Sequence, residues 1–151
     1  LELALRQETG ADYRRTLHRI AASPAAKLTE IGAFPPRRLS FLHCPIPDFG
    51  VVDDAHLLAL VAELKQLVDG GATLYVHCYG GHGRTGTVIV NLLQTMGAAA
   101  SPAEAMALLR ARHASRGCRS CALLDGELEA PEQEAQAAAL ASQHRRGRML
   151  Q

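Results

Sequence analysis

At 151 residues, 48% of them apolar, the chain has the length of one domain and enough apolar side chains to bury a core. Its net charge of +1 excludes a chain built chiefly to coat nucleic acid or an anionic membrane. No apolar run nears the ~18 residues of a membrane span.

The start, LELALRQETG, has neither the basic end nor the apolar stretch of a signal peptide. Its first residue is Leu, as expected of a fragment whose natural N-terminus lies upstream. Residues 11–22, ADYRRTLHRIAA, space Tyr13, Leu17, Ile20 and Ala21 as on one helix face. Ser23-Pro24 ends that pattern, and Pro35-Pro36 marks a second break. RLSFLHC (residues 38–44) then alternates in the manner of a strand, and Pro45 and Pro47 force CPIPDFG into an extended loop.

From Asp53, DDAHLLALVAELKQLVDGG predicts the clearest helix. Leu57, Leu60, Val61, Leu64, Leu67 and Val68 share a face, with aspartate at the start and glycine at the end. TLYVH reads as a short inner strand. TVIVNLLQTM reads as a largely buried helix ending at Gly97. Ser101, Pro102 and Glu104 provide an N-cap, a first-turn proline and a capping-box acid for a helix running to about Arg112. HASRGCRSCALLDGELEA is a long connection without a period, of the kind often given to function or motion. Pro131 opens a last helix, PEQEAQAAALASQHRR. This order predicts an α/β fold with a central, mostly parallel sheet flanked by helices, and an active loop at a strand's C-terminal end.

The chemistry concentrates in YVHCYGGHGRTG, residues 75–86. It is not a G-x-x-x-x-G-K-[ST] phosphate loop, because Cys78 stands where the first glycine belongs and Arg84 replaces the lysine. Residues 81–86 do match G-x-G-x-x-G, but no acid lies about 20 residues on to hold a ribose. What remains is strand, Cys78, five residues, Arg84, Thr85, helix. Such a loop turns its amide N–H groups, from about Tyr79 to Arg84, inward as an anion nest at the positive end of the next helix. Gly80, Gly81 and Gly83 permit the wrap, and the Arg84 fork can clamp two oxygens of a bound phosphate. The same field favours a thiolate at Cys78, a nucleophile aimed at the phosphorus.

On these residues the chain resembles the cysteine-dependent protein tyrosine and dual-specificity phosphatases, whose signature is His-Cys-x5-Arg-[Ser/Thr]. The likeness spans roughly residues 39–112. It looks closest to the compact dual-specificity type related to kinase-associated phosphatase, since the chain has no tryptophan for the Trp-Pro-Asp of larger members. The resemblance implies that Cys78 attacks phosphorus and that Arg84 binds phosphate and transition state. It implies that Thr85 eases the sulfur's departure and that His77 orients the loop from behind. Tyr79, Gly80, Gly81, His82 and Gly83 would line the phosphate site with Arg84. In that family a loop some 30 residues before the cysteine supplies a general acid, which here is Asp48, thirty residues ahead of Cys78. Asp53 and Asp54 are rival acids better placed to cap a helix. APEQEAQ resembles a late Pro-x4-Gln segment, making Gln136 a candidate to position water. The family uses no metal or other cofactor, and its members act on a phosphorylated protein or another phosphomonoester.

The chain departs from the family in three places. The signature loop lacks the lysine of phosphoinositide phosphatases and has His82 near its position. The segment before Asp48 is short enough to leave the sheet without an edge strand. The connection near Cys118 has no counterpart. Cys44, Cys118 and Cys121 raise a redox partner or a zinc site, but one C-x-x-C is half a zinc site. A free thiol at residue 78 fits a reducing compartment, the cytoplasm or nucleus. Three readings compete with a protein phosphatase: an inositol phosphate or phosphoinositide phosphatase, a non-catalytic phosphate-binding module, and a rhodanese-like sulfur transferase, whose loop commonly has one residue fewer before arginine.

Overall fold

The computed structural model describes residues 2–4, 40–115 and 128–140. The predicted helix over 11–22, the connection around Cys118 and Cys121, and the end of the last predicted helix lie outside them.

Three short strands carry the sheet: β1 (Glu2–Ala4), β2 (Phe41–Leu42) and β3 (Tyr75–His77), in spatial order β2-β1-β3. Both ladders are parallel. Glu2 and Leu3 pair with Phe41 and Leu42 on one side; Glu2, Leu3 and Ala4 pair with Tyr75, Val76 and His77 on the other. The N-terminal segment, for which the sequence predicts no strand, therefore inserts between the two strands that it does predict. The long connection from β2 to β3 is what parallel pairing requires.

Helix α1 (Asp54–Asp69) fills that connection. The Asp53 carboxylate accepts the His56 N–H at 2.9 Å, which satisfies one of the free donors of the first turn. Its predicted apolar face is the buried one: Leu57, Leu60, Val61 and Leu64 join Cys44, Ile46, Cys78, Val88, Leu92 and Leu140 in the main core. Gly71 ends the helix with φ 85° while Ala72 N–H reaches back to the Leu67 carbonyl, a left-handed stop that glycine adopts without a Cβ clash.

Helix α2 (Gly83–Thr95) starts at the cysteine loop and packs against α1, α3 (Pro102–Ala114) and α4 (Pro131–Ala139). Most polar side chains buried in a central helix are bonded. Here Thr87, Asn91 and Gln94 donate to the carbonyls of Gly83, Thr87 and Val90, one turn back in their own helix. Helix α3 begins as expected. Ser101 Oγ accepts the Glu104 N–H at 3.2 Å, and the Glu104 carboxylate accepts the Ala100 N–H at 2.7 Å.

Candidate active site

The site lies where β3 ends and α2 begins, at the carboxyl end of a parallel strand. Val76 and Val88 anchor the two sides of the loop in the core. Between them Cys78 is buried, and its Sγ accepts the Gly81 N–H at 3.2 Å. That bond needs the chain to fold back on itself within three residues, and Gly81 provides the fold with φ 78°. His77 Nδ1 lies 3.0 Å from the Cys78 carbonyl oxygen. Tyr79 projects outward, 73% exposed.

Arg84 occupies the first turn of α2 and is 3% exposed, a depth arginine reaches only when paired. Its Nη2 lies 2.8 Å from Asp48 Oδ1. Asp48 sits at the corner of a tight turn closed by the Gly50 N–H on the Pro47 carbonyl at 3.0 Å. Phe49 in that turn takes φ 55°, a left-handed conformation that costs a non-glycine residue about 1 kcal/mol. A Cβ at position 50 would meet that of Pro47 at 2.9 Å, so the turn requires glycine there. Of the aspartates in this segment, Asp53 caps α1 and Asp48 pairs with Arg84 of the cysteine loop.

Two donors in this centre have no partner among the described residues, Arg84 Nε and the Thr85 hydroxyl, and both are buried. The hydroxyl is thus uncommitted rather than bonded to Cys78. Leaving a buried donor unpaired costs about 1–3 kcal/mol, and an oxyanion in the loop would recover it.

Two further residues join the site without having been expected there. Glu129, just before α4, accepts the Gly83 N–H on Oε2 at 3.1 Å and holds Oε1 3.4 Å from His82 Nδ1. The His82 ring also packs against that of His113, centroids 4.8 Å apart and planes tilted by 56°, so it is neither free in solvent nor open to a ligand on every side. Gln133 donates from Nε2 to the Gly50 carbonyl at 3.2 Å, and a Cβ on Gly83 would collide with its amide. Gln136 donates to the Val52 carbonyl and, at 2.9 Å, to Asp54 Oδ1. Its donor side is committed to the chain after Asp48, and its Oε1 has no partner among the described residues. No sequence signal separates Glu129 from Glu127 or Gln133 from Gln136, because their partners are backbone groups far away in the chain.

Cys44 is a free thiol in the main core, with Sγ 3.9 Å from His56 Nε2. Burial raises its pKa above the ordinary thiol value.

Residues 25–137 match a family model described as PTP-SAK, "Swiss Army Knife protein, DSP-PTPase phosphatase domain". The chain belongs to this phosphatase-domain family. The dual-specificity and tyrosine phosphatase likeness read from the cysteine signature is therefore correct at family level. A crystal structure described as Tk-PTP in the active form is similar with a TM-score of 0.58 and 25% identity, over 93% of this chain and 77% of that one. Cyclin-dependent kinase inhibitor 3 of Sus scrofa is 37% identical over 68 residues, 45% of this chain and 32% of its own. "Putative tyrosine phosphatase 067L" of Invertebrate iridescent virus 3 is 35% identical over 81 residues, 51% and 33% respectively. The chain spans about a third of the length of these curated relatives.

Proposed function

We propose that this member of the PTP-SAK family is a metal-independent phosphomonoester hydrolase that works through a cysteinyl-phosphate, and that its substrates are phosphorylated proteins. In this reading the fold is the α/β arrangement of tyrosine phosphatases, a mostly parallel sheet with helices packed on it. The observation that supports the proposal is the 2.8 Å pairing of Arg84 with Asp48, with Arg84 closing the loop that begins at Cys78.

The substrate phosphate enters the loop and takes the Arg84 donors, including the unpaired Nε–H, and displaces the Asp48 carboxylate. In its protonated form that carboxyl group serves as the general acid. The Cys78 thiolate attacks phosphorus: an S–P bond forms, the bond from phosphorus to the ester oxygen breaks, and Asp48 gives its proton to the leaving oxygen. A water molecule then attacks the phosphocysteine and gives a proton to Asp48. The S–P bond breaks, the sulfur leaves as thiolate stabilised by the Thr85 hydroxyl, and inorganic phosphate departs. Arg84 and the loop amides other than those of Gly81, given to Cys78, and Gly83, given to Glu129, stabilise the charge on the equatorial oxygens throughout.

The absence of lysine from the signature loop favours phosphoprotein over inositol phosphate, and comparing rates on phosphopeptides and inositol phosphates separates the two. Hydrolysis of 4-nitrophenyl phosphate with a chelator present tests the mechanism. Wild type should turn over, Cys78→Ser should be inactive, and full activity in Cys78→Ser would reject the proposal. A folded wild-type chain that binds phosphate without hydrolysing the ester would instead be a binding module.

A further inference from the structure

A loop that carries a general acid has to be somewhere when substrate arrives, and the residues after Asp48 are held in an unusual number of places. Ile46, two residues before it, is buried in the main core. The acid itself is on Arg84. Beyond it, the Gly50 carbonyl accepts from Gln133, the Val52 carbonyl and Asp54 accept from Gln136, and Asp53 caps α1. Gln133 and Gln136 are one turn apart on α4, so a single rigid helix face grips two successive points of the acid segment. The left-handed Phe49 lies between Asp48, held on Arg84, and Gly50, held by Gln133, and such strain persists only where the surroundings over-determine the backbone.

The other ends of these amides bear on what they do. Both Oε1 atoms are sealed from solvent, whereas an attacking water must come from it. Gln133 also abuts Gly83 of the cysteine loop, so the same side chain that holds the acid segment touches the phosphate site.

We propose that Gln133 and Gln136 are positioning residues that clamp the Asp48 loop closed over the cysteine loop, acting through the general acid rather than on the attacking water. The inference rests on the phosphatase reading for its kinetic consequences, although the clamp itself is a property of the fold. Releasing it lets Asp48 drift from the leaving oxygen. The first chemical step then suffers in proportion to the leaving group's need for a proton, and hydrolysis of the phosphocysteine does not become limiting.

The test compares wild type with Gln136→Met and Gln133→Met, which keep length and lose the donor. Gln133 is fully buried, so Gln136→Met is the primary variant. Amide hydrogen exchange should rise about tenfold over residues 48–54 and stay unchanged over residues 84–95. Turnover of phenyl phosphate should fall about tenfold more than that of 4-nitrophenyl phosphate, the loss of about 1.4 kcal/mol expected of one hydrogen bond, with no burst of phenol. Unchanged exchange over 48–54 overturns the clamp. So does equal slowing of both substrates with a pre-steady-state burst, which assigns the glutamines to the water. If wild type hydrolyses neither ester, the phosphatase reading fails, and the exchange result alone decides the clamp.

Discussion

Arg84 and Cys78 lie one loop apart, and the chemistry that links them leaves little freedom in spacing. A sulfur and a guanidinium can face the same phosphate only when the intervening residues close into a ring of amides, which is why their spacing singles these two out in the sequence. Asp48 was singled out only through the family resemblance, by its position thirty residues ahead of Cys78. Glu129 and Gln133 were not, since any acid or amide could have met those backbone groups. Replacing Arg84 by lysine keeps the charge and loses the fork. Vanadate affinity, measured by inhibition or calorimetry, should fall about 10- to 100-fold, as expected for one or two lost charge-assisted bonds. An affinity within twofold of wild type would mean that the fork is not the anion's seat. Gly83→Ala drives a methyl group into Gln133 and Glu129. It should cost about 1–3 kcal/mol of stability in urea titration and most of the turnover, and an unaltered midpoint would show that those side chains yield. Burial keeps Cys44 protonated to higher pH than an ordinary thiol. Iodoacetate at neutral pH, followed by peptide mapping, should label Cys78 and spare Cys44. Equal labelling would restore Cys44 as a candidate redox partner.

Among the elements, those with local instructions were readable and those made by partners were not. Helix α1 announced itself through Asp53, a 3.6-residue apolar face and terminal glycines; α3 did so through Ser101, Pro102 and Glu104. Their caps act as written, and Asp53→Ala or Ser101→Ala should each lower stability by about 1 kcal/mol in denaturant unfolding. No change in midpoint would show that water replaces the cap. Strand β1 carries no such signal. Three residues become a strand because β2 and β3 offer ladder partners on both sides, and pairing of that kind is decided by tertiary context rather than propensity. Helix α2 was expected to be buried, and it is. The way Thr87, Asn91 and Gln94 bond back to their own helix explains how a segment with so many polar groups can pass through the core.

For the whole molecule, the core, the acid loop and the cysteine loop form one connected unit, since Cys78 and Ile46 belong to the same cluster and α4 reaches both loops. An oxyanion that fills the loop should therefore stabilise the entire fold by mass action, by about 2.7 kcal/mol at a hundred times its dissociation constant. A rise in melting temperature with vanadate that persists in Cys44→Ala and vanishes in Arg84→Ala is the expected pattern. A rise unaffected by Arg84→Ala would place the anion elsewhere. The most direct measurement of the central claim is rapid acid quench of the wild-type chain during turnover of an aryl phosphate, followed by mass spectrometry of the peptide that contains residue 78. Phosphate bound to Cys78, absent when Asp48, Arg84 and Cys78 are present but no ester is added, is the predicted result. Steady turnover with no phosphorylated Cys78 peptide, and undiminished in Cys78→Ser, would contradict it.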